Sequence, residues 1–125
     1  MTDTPSLLIL VAGPYRSGTG DDPAKMRRNL DVLEAAALPL YRAGHVPLIG
    51  EWLALPLLRA AGATAIGDAL WQEIVYPVAH RLLPRCDAVL RLPGESSGAD
   101  TDVRLARERG LPVYFDLREV PGVRA

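Results

Sequence analysis

Cysteine, lysine and histidine are scarce in this 125-residue chain, which has one Cys, one Lys and two His. The lone Cys86 excludes an internal disulfide and any zinc site built on paired cysteines. His45 and His80 lie far apart in sequence, so no metal-ligand set stands out, and nothing asks for a cofactor. Thirteen arginines stand where lysine is missing, yet the acidic residues balance them to a net charge of −1. That excludes the basic face that a long nucleic acid needs. Long apolar runs are also absent. The run Leu7–Ala12 falls far short of the roughly 18 residues of a membrane span. The N-terminal MTDTPS has no basic segment of the signal-peptide kind. These absences predict a cytoplasmic protein that engages no membrane. Aromatics make up only 6%. Trp52 and Trp71 read either as walls of a base pocket or as core.

What is present is enough for a core: 49% of the residues are hydrophobic. A chain of this length buries about two-thirds of its unfolded surface, which predicts one domain over residues 1–125. Ser6–Ala12 is apolar without alternation, as in a parallel strand covered on both faces. Asp22-Pro23 marks a helix start, with Met26, Leu30, Leu33, Ala37 and Leu40 at helical spacing, a kink at Pro39 and a stop at Gly44. His45–Ile49 reads as a second strand, with His45 structural. Glu51–Ala60 reads as a short helix broken at Pro56, Ala61–Gly67 as a mobile loop, and Asp68–Leu83 as a helix kinked at Pro77. Asp87–Leu92 is a third strand. A turn-rich loop leads to a helix over Asp100–Arg109 with Asp100 as N-cap, and Pro112–Phe115 is a fourth strand. Strands alternating with helices predict an α/β fold: a small flavodoxin-like, Rossmannoid three-layer sandwich on a parallel sheet of about four strands.

Ligands of such sheets bind beyond the carboxyl ends of the strands, where the strand order reverses. If the first and third strands are neighbours, two Gly- and Ser-rich loops meet there. One is Gly13-Pro14-Tyr15-Arg16-Ser17-Gly18; the other runs from Gly94 to Asp100 and opens a helix. A helix N-terminus offers free N–H groups and about half a positive charge to an anion. Arg16 adds a charge-assisted contact. The pattern is that of a phosphate site. Of the thirteen arginines only Arg16 acquires such a role, and the others read as surface charge.

The motifs Val11-Ala12-Gly13-Pro14-Tyr15-Arg16, Gly44-His45-Val46-Pro47, Cys86-Asp87-Ala88-Val89, Leu92–Asp100 and Gly110-Leu111-Pro112-Val113 occur in that order over residues 7–115. In this the chain resembles the nucleoside 2-deoxyribosyltransferase superfamily, in particular its small DUF4406-like branch. A related branch holds the 2′-deoxynucleoside 5′-monophosphate N-glycosidases. The resemblance implies a homodimer or larger assembly. It also implies cleavage of the N-glycosidic bond of a nucleoside or its 5′-monophosphate, by hydrolysis or transfer.

The resemblance implies that Gly13, Arg16, Gly18, Ser96 and Gly98 hold the 5′-phosphate. Tyr15 orients the nucleophile, and Asp102 stands at the position of the nucleophilic Glu. The partner carboxylate of the family falls on Ala79, so the acid comes from His80, Glu95 or solvent. Retention of configuration needs two carboxyl groups about 5–5.5 Å apart. Asp102 is shorter than Glu by about 1.5 Å, and about 1 Å of misplacement costs up to about a hundredfold in rate. Near a helix N-terminus Asp102 is expected to stay ionised. Its alternative role is that of a dipole partner, in a nucleotide-binding or sensing domain that has lost the catalytic carboxylates.

Overall fold

The computed structural model describes residues 5–123. Four strands form one parallel sheet: β1 (Leu8–Ala12), β2 (Val46–Leu48), β3 (Ala88–Arg91) and β4 (Val113–Tyr114), in the order β2-β1-β3-β4. The order reverses between β1 and β3, the two central strands. Asp87 locks their register from both sides. Its N–H donates to the Leu8 carbonyl at 2.7 Å, and its carboxylate accepts from the Leu8 N–H at 2.8 Å.

Alternating residues of the central strands feed two different cores, which is why their sequences are apolar throughout. Ile9, Val11, Ala88 and Leu90 pack on Leu30, Leu33, Ala37 and Leu40 of α1 (Pro23–Arg42) and on Val120. Leu10, Ala12 and Val89 pack on the other face against Ala99 and Ala106 of α4 (Ser97–Glu108), with Leu83 and Cys86. The result is the flavodoxin-like three-layer sandwich.

Helix α1 starts as its sequence requires: the Asp22 side chain accepts from the Ala24 N–H at 3.0 Å and Pro23 opens the helix. It continues through Pro39 to Arg42, and Gly44 turns the chain with φ +96°. His45 then serves the fold. It is buried, its Nδ1 accepts from the Leu7 N–H at 3.1 Å, and its Nε2 donates to the Pro121 carbonyl at 2.6 Å.

Prolines act differently from expectation in two places. Helix α2 (Glu51–Ala61) is not broken at Pro56. Buried Ala54 and Leu58 anchor it, Leu58 beside Met26 and Trp71, and Gly62 (φ +83°) ends it. Before Pro77 the chain widens into a π-turn over Trp71–Val75, with the Tyr76 N–H bonded to the Trp71 carbonyl, and continues as α3 (Tyr76–Leu82). A wide turn absorbs the missing proline N–H without ending the helix. Between α2 and this segment, residues 63–68 form turns, and Asp68 caps the next helical stretch by accepting from the N–H groups of Leu70 and Trp71.

Helix α4 corrects the expected boundary. It begins at Ser97, with Ser96 as N-cap accepting from the Ala99 N–H at 3.1 Å. Asp100, expected as the cap, lies inside the first turn and pairs with Arg91 at 2.8 Å. Arg91 is therefore not surface charge. It is buried at the end of β3, and its guanidinium also donates to the carbonyls of Leu92 and Gly94, tying the loop after β3 to α4. No described helix is long and apolar enough to cross a membrane.

Candidate functional site

Beyond the carboxyl ends of β1 and β3 the two loops enclose a cavity of about 320 Å³. Its walls come from the end of β1, the loop after it, the N-termini of α2 and α4, and α3. Of the residues singled out from the sequence, the cavity brings together Gly13, Tyr15, Arg16, His80, Ser96, Gly98 and Asp102. It leaves out Gly18 and Glu95, which line a separate depression with Pro14, Asn29 and Leu33. Neither tryptophan lines it: Trp52 donates its indole N–H to Glu34 at 2.8 Å, and Trp71 is buried in the core beside Met26 and Leu58.

Each remaining residue is held by identifiable contacts. Gly13 is needed for packing, since a Cβ there would lie 3.0 Å from Leu33 Cδ2 and 3.3 Å from Leu92 Cβ. A Cβ at Gly98 would meet nothing within 4 Å, so this first-turn position faces open space. Being among the first residues of α4, Ser97 and Gly98 have N–H groups with no partner inside the helix. Tyr15 stacks on Trp71, with ring centroids 6.4 Å apart and planes 12° apart. Its phenol is raised above the usual range, by burial first and then by the charge of Glu51.

Arg16 is tethered on three sides. It donates to Asp21 through Nε at 2.7 Å and Nη2 at 3.1 Å, and to the Tyr76 hydroxyl through Nη1 at 2.6 Å. Its guanidinium carbon lies 5.6 Å from the centre of the Trp71 ring. Gly67, with φ +79°, leaves room for it, because a Cβ there would run into the guanidinium. Asp21 holds this contact from a left-handed conformation, φ +62°. An internal carboxylate thus already occupies one edge of the arginine fork.

Asp102 is the most unusual group in the cavity. It is buried, and its Oδ1 has no hydrogen-bond partner among the described residues. His80 Nε2 approaches to 3.5 Å. Asp102 is pushed up to about 7, by burial first, then by the charge of Glu51, against a lowering effect of Arg91; this shift works against the ionised state expected near a helix N-terminus. With α4 opening at Ser97, Asp102 lies in the second turn, and the dipole effect fades within the first.

Glu51 was not singled out by its sequence context. It stands in the first turn of α2, lines the cavity, and is pushed up to about 7 by burial. Gly50, just before it, packs against α3: a Cβ there would be 3.7 Å from the Ala79 Cβ. The only sequence signal was an acidic residue opening a helix one glycine after the expected second strand. Among the described residues no group of three or more His, Cys, Asp or Glu is disposed to hold a metal ion. No protein-family model, curated protein or solved structure matches the chain.

Proposed function

We propose that the protein cleaves the N-glycosidic bond of a nucleoside or nucleoside 5′-monophosphate. The observation that carries this reading is the buried, unpartnered Asp102 carboxyl in the cavity at the strand-order reversal. Burying a carboxyl without partners is costly, so a fold keeps one where a ligand will use it. In this reading Asp102 attacks the anomeric carbon. Tyr15, backed by the buried Trp71 on which it stacks, faces the nucleoside, and the free N–H groups of Ser97 and Gly98, with Ser96 and Arg16, face a 5′-phosphate. The motif order over residues 7–115 supports the same chemistry.

A second reading, a nucleotide-binding domain without catalysis, is favoured by Ala79, which supplies no carboxyl where the resemblance expects one. One experiment separates the two. The protein is incubated with ribo- and deoxynucleosides and their 5′-monophosphates, and released base is measured by chromatography. The glycosidic reading expects base release that Asp102→Asn abolishes. No release from any of them at high protein concentration, with a nucleotide still raising the melting temperature, establishes the second reading instead.

A further inference from the structure

We infer that Glu51, at the start of α2, is the proton donor that works opposite Asp102, taking over from the adjacent helix the role that position 79 leaves vacant. The inference rests on the glycosidic reading. Three observations carry it. Glu51 and Asp102 line the same cavity from different elements. The α2 N-terminus lies against α3 at Ala79, since a Cβ on Gly50 would be 3.7 Å from the Ala79 Cβ. The charge of Glu51 raises both Asp102 and Tyr15, as expected of a carboxyl sharing their cavity. The charged or titratable groups around the pair are Tyr15 and Arg16 from the β1 loop, Tyr76 and His80 from α3, Cys86 before β3 and Arg91 from β3.

Two carboxyls lining one cavity resist ionising together, and each is pushed up to about 7, Glu51 by burial and Asp102 by burial and the charge of Glu51, so a singly protonated pair is accessible near neutrality. That is the state the reaction needs. In the first step an Asp102 oxygen bonds to C1′, the C1′–N bond breaks, and its electron pair takes the Glu51 proton onto the departing base. In the second, a water oxygen bonds to C1′ and gives a proton to Glu51, and the C1′–O bond to Asp102 breaks. The products are free base and sugar hemiacetal, and both carboxyls return to their starting states.

A general acid matters only when the leaving group needs a proton. The test therefore compares deoxyguanosine 5′-monophosphate with its N7-methyl derivative, whose base departs neutral without protonation. In single-turnover release of base, which reports the first step and not the second that Glu51 also serves, Glu51→Gln is expected to slow the unmethylated nucleotide about a hundredfold or more while leaving the methylated one within a few-fold. Asp102→Asn is expected to stop both. Alongside, 13C-carboxyl titration of the wild-type protein is expected to show the Glu51 and Asp102 curves each carrying the other's step. Equal losses on the two substrates from a folded Glu51→Gln protein, or independent titration of the two carboxyls in the wild type, overturn the role of Glu51. A wild type that releases base from no nucleoside or nucleotide of the wider panel, with the two titrations still coupled, instead overturns the glycosidic reading and the donor role with it, leaving only the pair.

Discussion

His80 Nε2 lies 3.5 Å from Asp102 Oδ1, yet that oxygen accepts no hydrogen bond. The imidazole lies within ion-pair distance of the carboxyl but is not its hydrogen-bond partner. Its side chain is 38% exposed, so solvent screens the contact. His80→Ala is expected to slow base release by no more than about tenfold and to leave the melting temperature nearly unchanged. A loss as complete as that of Asp102→Asn would make His80 the essential acid in place of Glu51.

The Asp102 carboxyl should weaken the fold when it ionises. Its folded value of about 7 stands above the ordinary 3.8, so the stability it permits is intact below about pH 4 and is lost as pH rises through 7. Asp102→Asn removes that loss. The variant should be more stable than the wild type at pH 8, by a few kcal/mol, with the gain shrinking toward zero near pH 4. Urea unfolding at the two pH values measures this. Equal gains at both would mean that the carboxyl is not held neutral by burial.

Asp21 and a 5′-phosphate compete for Arg16 if phosphate binds at this loop. Asp21→Asn keeps a residue type that tolerates the left-handed backbone but removes the charge from the fork. The expected result is a several-fold lower KM for a nucleoside 5′-monophosphate, with the KM for the unphosphorylated nucleoside unchanged. Arg16→Ala should raise the first KM and spare the second. If both variants shift the two substrates alike, Arg16 only shapes the cavity wall.

His45 ties both termini of the described chain to the sheet through the Leu7 N–H and the Pro121 carbonyl. Replacing it with Ala removes a buried ring and leaves two part-buried groups without this partner. The variant should lose about 1–3 kcal/mol of stability, read as a lower urea midpoint. Catalytic constants should not change, because the residue lies at the end of β2 away from the cavity.

The elements were legible in the sequence where local chemistry decides them. The apolar run of β1, the Asp22-Pro23 opening of α1, its buried stripe and the Gly44 stop depend on neighbours a few residues apart. The start of α4 was less legible, because Ser96 and Asp100 are both good caps. The choice fell to Arg91, a residue of another element that claims Asp100 at 2.8 Å. Pro56 was misleading for a similar reason: contacts of Ala54 and Leu58 with other parts of the chain hold α2 together across it.

The sequence by itself determined a parallel α/β sandwich and the two loops that would meet if β1 and β3 were neighbours, because strand burial and turn chemistry are written locally. Only the tertiary structure decided what those loops enclose. It excluded Gly18 and Glu95 from the cavity, closed Arg16 onto Asp21 and Tyr76, and drew Glu51 into the cavity where Asp102 is buried. The state of a carboxyl depends on the water it loses and the charges it meets, and both are set by residues far away along the chain.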